Sequence, residues 1–312
     1  MLDHVVRRVG ASAVTLVLAA FLVFLAIHVV PGDPARLLVG TEAGPNEYQA
    51  ARDRLDLDTP WLLRFARWLG GLAVGDWGLS FRYSRPARDL VVGGLAITLP
   101  LAAAALLVAL GLAFPLGVAA ARHPGRWIDL GTVGVAQLGT AVPEFWLALL
   151  LVGLFAVRLG ALPAGGFPGW GNPHAVRYLL LPTLALALPR AAYLARMVRA
   201  SLADVLGEDY VRAARAKGIA ERRVVFVHAL RNALVPVITG AGLTLARLLA
   251  GAMVVENVFG LPGLGRLAVV AVEARDLALL ASIAAVVAGL IVLLSLAVDL
   301  SYALLDPRIR QR

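Results

Sequence analysis

Glu208-Asp209-Tyr210-Val211-Arg212-Ala213-Ala214-Arg215-Ala216-Lys217-Gly218-Ile219 is a polar, basic break in a chain otherwise built from long apolar runs. The runs on either side suit hydrocarbon. This stretch, with Arg222, Arg223, Arg231 and Asn232 just beyond it, suits water or a protein surface. It reads as a helix carrying two adjacent alanines and a glycine four positions after the second. Side chains that small let another surface come close to the backbone.

Working outward, the 312 residues are 60% hydrophobic and 16% charged, against about 25% charged in soluble domains. That balance describes an integral membrane protein and excludes a single soluble core. With no cysteine, disulfides, thiolate metal sites and cysteine nucleophiles are excluded. The net charge of +9 invites a nucleic-acid reading. In a membrane protein, cations gathered at span ends mark the cytoplasmic side instead, and no nucleic-acid partner is expected.

A bilayer core takes about 20 apolar residues per helix. Six runs meet that length, near 10–30, 95–121, 128–157, 178–200, 234–255 and 277–302. The first is too long for the apolar region of a secretory signal, and Ile27-His28-Val29-Val30-Pro31 makes a poor cleavage site. It is read as a retained helix. With the N-terminus inside, the inner segments hold fifteen cations and the short outer loops four, Arg158, Arg177, Arg266 and Arg275. The long segment 31–94 counts little in this rule, and its eight arginines face eight acids.

The expected fold is an all-α polytopic membrane protein with six transmembrane helices. Both termini lie inside, and a small extracytoplasmic subdomain joins helices 1 and 2. Within that subdomain, 46–54 and 61–72 carry helical apolar spacing, Pro60 marks a helix start, and Gly75-Asp76-Trp77-Gly78 reads as a turn. The chain divides into 1–94, the first span with the subdomain, and 95–312, the core.

A P-loop needs Gly-x4-Gly-Lys-Ser/Thr. The only lysine is Lys217, followed by Gly218, so any ATP-driven activity needs an ATPase on another chain. Gly260-Leu261-Pro262-Gly263-Leu264-Gly265 lacks a preceding strand and reads as a tight turn. The five histidines form no His-x-x-x-His or His-Glu-x-x-His pair, so no metal site is expected. The seven serines include no Gly-x-Ser-x-Gly and no intramembrane Ser/His pair, which argues against a membrane protease.

Charges inside spans are functional candidates. Counted from the cytoplasmic ends of their helices, Glu144 and Arg247 lie at depths of roughly 24 and 20 Å. The two are close enough in height to pair across the translocation path, as part of an outer gate, or to point independently to water or a partner. Arg190, beside Pro189, is a third candidate on that path. Asp299 falls near the cytoplasmic end and reads as interfacial.

At this point the chain resembles, nearly end to end, the inner-membrane permease subunits of binding-protein-dependent ABC importers, in the dipeptide/oligopeptide/nickel branch. The likeness is carried by Val29-Val30-Pro31-Gly32-Asp33-Pro34, Gly75-Asp76-Trp77-Gly78-Leu79-Ser80-Phe81, Pro143-Glu144-Phe145-Trp146-Leu147-Ala148, Leu159-Gly160-Ala161-Leu162-Pro163, Val254-Val255-Glu256-Asn257-Val258-Phe259, Pro262-Gly263-Leu264-Gly265 and Leu305-Asp306-Pro307-Arg308. The cytoplasmic stretch is similar to the family's coupling motif, Glu-Ala-Ala-x3-Gly-x9-Ile-x-Leu-Pro. It departs at Arg212, His228 and Arg231, departures that resemble the peptide branch.

The resemblance implies a coupling helix at about 205–223 that docks in a groove of a separate ATPase through Tyr210, Arg212, Ala213, Ala214, Arg215, Lys217, Gly218, Arg231 and Asn232. It also implies a bacterial-type inner membrane location, a homologous second permease, two ATPase subunits and an extracytoplasmic substrate-binding protein. Membrane lipid surrounds the spans. No catalytic residue or cofactor belongs to this chain, and ATP and Mg²⁺ sit on the ATPases. The expected substrate is a di- or oligopeptide, with nickel chelates or oligosaccharides as alternatives. An ATP-independent secondary transporter and an intramembrane enzyme using Glu144 are the readings from other classes.

Overall fold

The computed structural model describes residues 2–29, 34–40, 44–54 and 57–305. Pro31-Gly32-Asp33 and the tail at 306–312 lie outside them. Helix α1 (Leu2–Val29) is the first span, followed by α2 (Pro34–Val39), α3 (Pro45–Arg54) and α4 (Trp61–Val74). Helices α3 and α4 stand where the apolar spacing places them. Pro60 precedes α4, and Gly75 ends it at φ +89°, a conformation glycine adopts without steric cost. A short antiparallel pair, β1 (Leu79–Ser80) and β2 (Arg85–Pro86), sets Leu79 opposite Pro86.

The second span, α5 (Ala87–Arg122), starts eight residues before the expected 95. Its first turns have packing partners: Ala87 and Val91 are fully buried among Leu264, Ala271, Leu279 and Ile283. A helix face with an apolar neighbour continues past the membrane edge.

The third span is not one rod. Helix α6 (Trp127–Ala141) and α7 (Glu144–Leu151), which runs on as a π-helical turn over Val152–Arg158, meet at 101°. Pro143 lacks an N–H and pushes the residue before it out of helical geometry, and Val142 is extended at φ −81°, ψ 121°.

Beyond it come α8 (Ala175–Leu206), α9 (Asp209–Ala216) and α10 (Glu221–Arg223). A π-helical turn, Val224–Ala229, leads to α11 (Leu230–Phe259), α12 (Leu264–Glu273) and α13 (Leu277–Leu305). Five helices among the described residues are long and apolar enough to cross a membrane, six with the bent pair. Arg8 Nη1 donates to Asp299 Oδ2 at 2.8 Å, so the start of the first span and the end of the last share one side.

Small residues allow the central crossing. Ala102, Ala105, Ala109 and Ala113 of α5 are at most 1% exposed. A Cβ on Gly117 would stand 2.7 Å from the Ala195 carbonyl oxygen. Hydrocarbon offers no hydrophobic drive between helices, so close van der Waals approach of such faces holds them together.

The outer subdomain is fastened at two points. Phe21 and Phe24 of α1 meet Phe65 of α4 edge-on, with centroids 5.3 and 5.4 Å apart. At the other, the buried Asp276 carboxylate accepts from Ser80 Oγ at 2.5 Å and from the Arg82 N–H at 3.1 Å.

Candidate functional site

Helix α9 hangs below the junction of α8 and α11. Glu208 is its N-cap, extended at ψ 151°, and Asp209 lies in the first turn, where a negative charge suits the helix dipole. Val211 and Ala214, three apart, form the inward stripe. They are 0 and 8% exposed and pack among Val118, Val198, Leu202, Val225 and Ala229. Tyr210, Arg212, Ala213, Arg215, Ala216 and Lys217 are exposed.

The helix ends on Gly218 at φ +75°. The Gly218 N–H donates to Arg215 O at 2.9 Å, and the Ile219 N–H to Ala214 O at 3.3 Å. These are the paired bonds of a left-handed helix end, and Ile219 closes it by packing with Ala214 in the same cluster.

Two side chains, Arg215 and Tyr210, tie α9 to its surroundings. Arg215 grips Glu221 with two bonds, Nε to Oε2 at 3.0 Å and Nη2 to Oε1 at 2.8 Å, and its Nη1 donates to Leu206 O at 3.4 Å. The bond to Glu221 holds the Arg215 pKa above its ordinary value. Tyr210 Oη accepts from Asn232 Nδ2 at 2.8 Å and donates to His228 O at 3.5 Å. Arg212 pairs with Asp209 on the open face.

The small residues therefore divide by role. Sequence spacing assigns Ala213, Ala214 and Gly218 together to a close approach by a partner. The structure turns Ala214 inward, because successive helix residues are about 100° apart. Gly218 serves the helix end, and among the described residues nothing beyond its chain neighbours lies within 4 Å of a Cβ placed there. Ala213 and Ala216 are the small outward positions. The cytoplasmic segment expected at about 205–223 resolves into the end of α8, α9, a turn and α10. Arg231 is exposed at the start of α11.

The second candidate cluster lies at the break between α6 and α7. The Glu144–Arg247 pair considered from depth alone is not formed. Glu144 instead accepts from Arg190 Nη2 on α8, with the two side chains 17 and 21% exposed. Residue depth fixes height but not the direction a side chain leaves its helix. Gly251 on α11 leaves the space the carboxylate occupies, since a Cβ there would collide with Glu144 Oε2. Arg247 is exposed one turn earlier, its guanidinium 5.9 Å from the Tyr193 ring centroid. All four side chains, with Thr140 and Pro143, line a cavity of about 310 Å³.

Three buried acids went unread in the sequence. Asp129 is held by Arg199, Glu256 by Thr98 and the start of α12, and Asp276 by the hairpin. The available signal was an acid at the edge of an apolar run. Among the described residues, no group of three or more His, Asp or Glu side chains converges as metal ligands do.

Six spans and a fastened amphipathic helix below the fourth and fifth define a multi-pass helical membrane component with a docking element on one face. The chain belongs to the family described as binding-protein-dependent transport system inner membrane component, whose model matches residues 113–311; the companion N-terminal model matches residues 1–102.

The glutathione transport system permease protein GsiC of Escherichia coli (strain K12) is 40% identical over 312 residues, 100% of both chains. A Brucella abortus (strain 2308) relative, provisionally named a peptide transport system permease protein, is 39% identical over 308 residues, 98% of both. In fold, the chain is similar to one from the MetNI methionine ABC transporter, with TM-score 0.56 and 20% identity over 70% of this chain and 96% of that one. This is a permease component of an ABC importer, a machine that works with an ATPase and a substrate-binding protein.

Proposed function

We propose that this chain is one half of an import pathway for short peptides in a bacterial inner membrane. Two full-length relatives support the substrate class, one named for glutathione, itself a tripeptide, and one for peptides. A homologous second permease completes the pathway, and two ATPase subunits carry ATP and Mg²⁺. The substrate-binding protein delivers to the outer face, including the subdomain within 31–94. This chain binds no cofactor of its own, and its one lysine belongs to the cytoplasmic segment rather than to a phosphate loop.

The observation that carries the coupling role is the fastening of α9. Arg212, Ala213, Lys217 and Arg231 offer an open, basic face with little bulk at its centre. Lys217 and the arginines suit acidic groups on an ATPase and, at about 1 kcal/mol per cation, anionic headgroups. Val211 and Ala214, Arg215, and the Tyr210–Asn232 bond pass any displacement of that face to α8 and α11. Gly218 holds the turn that lets α10 fold back. ATPase closure then rocks the spans and alternates access. Glu144, Arg190 and Arg247 line the translocation path.

The test is uptake of a radiolabelled di- or tripeptide into liposomes holding this chain, its partner permease, the ATPases and the binding protein encoded with it. Uptake that stops without ATP is expected. Uptake by this chain alone, without ATP, overturns the reading.

A further inference from the structure

We propose that the cavity at the α6–α7 break holds the free carboxylate of a peptide in transit, with Arg247 as the anchoring cation. This rests on the peptide reading above and names a group of the substrate and its partner. The argument begins with charge. The cavity wall carries one carboxylate, Glu144, and two guanidiniums, Arg190 and Arg247. Glu144 is already taken by Arg190. No acid among the described residues pairs with Arg247; its contact is the Tyr193 ring. The face of a ring leaves the guanidinium N–H donors at its edge free.

A lone cation on the wall of an intramembrane cavity calls for an anion. A guanidinium presents two parallel donors that match the two oxygens of a carboxylate. The same reasoning excludes the other end of a peptide: an ammonium would find the one carboxylate occupied and two positive charges beside it.

Size and exposure agree. About 310 Å³ is at the lower end of small-molecule pockets, roughly 300–1,000 Å³. It has room for a chain end, not for a whole oligopeptide, so side-chain identity is left unread. Arg247 is exposed rather than enclosed, which favours a contact that forms and releases. A transport pathway needs binding weak enough to leave.

The experiment uses the assembled complex in nanodiscs without binding protein, so that the binding protein's own preference does not enter. The probe is a tripeptide bearing benzoylphenylalanine, made as the free acid and as the C-terminal amide. On irradiation, the acid is expected to label the segments around Tyr193 and Arg247 at least fivefold more than the amide. Arg247→Gln removes the difference, and Arg247→Lys restores part of it. Equal labelling by acid and amide in the unaltered complex overturns the proposal, as does a difference that survives in Arg247→Gln. Co-purification of the two permeases is followed in parallel. If Arg247→Gln separates them, Arg247 serves the permease interface and the proposal falls. ATP-driven uptake of the same acid by the full system is measured alongside. Uptake with equal labelling sinks the carboxylate subsite and leaves the peptide reading standing; absence of uptake sinks the peptide reading itself.

Discussion

Arg199 on α8 holds Asp129 at the start of α6 through two parallel bonds of 2.8 Å, Nε to Oδ1 and Nη2 to Oδ2. The same carboxylate accepts the Gly125 N–H at 2.9 Å, and Asp129 is 3% exposed. The inner ends of the third and fourth spans are thus joined about two turns above the point where α8 hands over to α9. A force on α9 reaches α6 without passing through the membrane.

Asp129→Asn removes the charge and leaves Arg199 without its partner. We expect a Tm several degrees lower and peptide uptake reduced by roughly an order of magnitude, since charge-assisted bidentate pairs are the strong ones. Arg199→Lys keeps the charge and loses the fork, so it falls between. Thermal unfolding of the purified complex and liposome uptake measure both. Uptake unchanged in Asp129→Asn would show that the joint carries no load.

Ala213 and Gly218 separate docking from folding. Ala213→Leu adds bulk to the open face of α9, where Ala213 is exposed. It is expected to keep the Tm and lose most ATPase co-purification and uptake. Gly218→Ala puts a side chain at φ +75°, which costs about 1–2 kcal/mol. It is expected to lower stability locally and coupling only in proportion, with Gly218→Asn milder because asparagine tolerates that conformation. Full uptake in Ala213→Leu would remove the docking role from this face.

Glu144 and Arg190 form one unit. Removing either member leaves a part-buried charge unpaired. A double-mutant cycle of Glu144→Gln with Arg190→Gln should therefore return a coupling of about 0.5–3 kcal/mol in the stability of the complex. The cycle of Glu144→Gln with Arg247→Gln should return close to zero. A larger coupling to Arg247 than to Arg190 contradicts the pairing.

Much of this architecture is legible in the sequence because hydrocarbon imposes a length: the six apolar runs, and α3 and α4 with their helical spacing, need no tertiary information. The bend at Pro143 is less legible. Proline is tolerated inside transmembrane helices, and Pro100, Pro115, Pro182, Pro189 and Pro236 all sit within continuous ones here. What differs at Pro143 is that the extended geometry proline favours in the residue before it is realised, at Val142, whereas the other five keep their helices. The partner of Glu144 was hidden because depth along a helix says nothing of azimuth. Ala213 and Ala214 look alike in the motif and face opposite duties in the fold, which only the packing of Val211 and Ala214 beneath α8 reveals.

Glu256 offers the sharpest test of the outer face. Its side chain is fully buried. Oε1 accepts from Thr98 Oγ1 at 2.6 Å, and Oε2 from the Gly265 N–H at 2.7 Å. Thr98 Oγ1 in turn accepts the Leu264 N–H at 2.9 Å. One carboxylate thereby joins α5 and α11 and satisfies the first turn of α12, whose opening N–H groups have no partner within the helix. Glu256→Gln keeps the size but turns an NH₂ toward a donor, leaving one bond of the pair unmade at a cost of about 1–3 kcal/mol. Thr98→Val removes the bridge with little change of volume. In both variants, hydrogen exchange should quicken across Leu264–Glu273 while α9 keeps its protection. If exchange in α12 stays slow in both, the helix is held by its apolar packing on Ala87 and Val91 instead, and the carboxylate is not what positions the outer end of the fifth span.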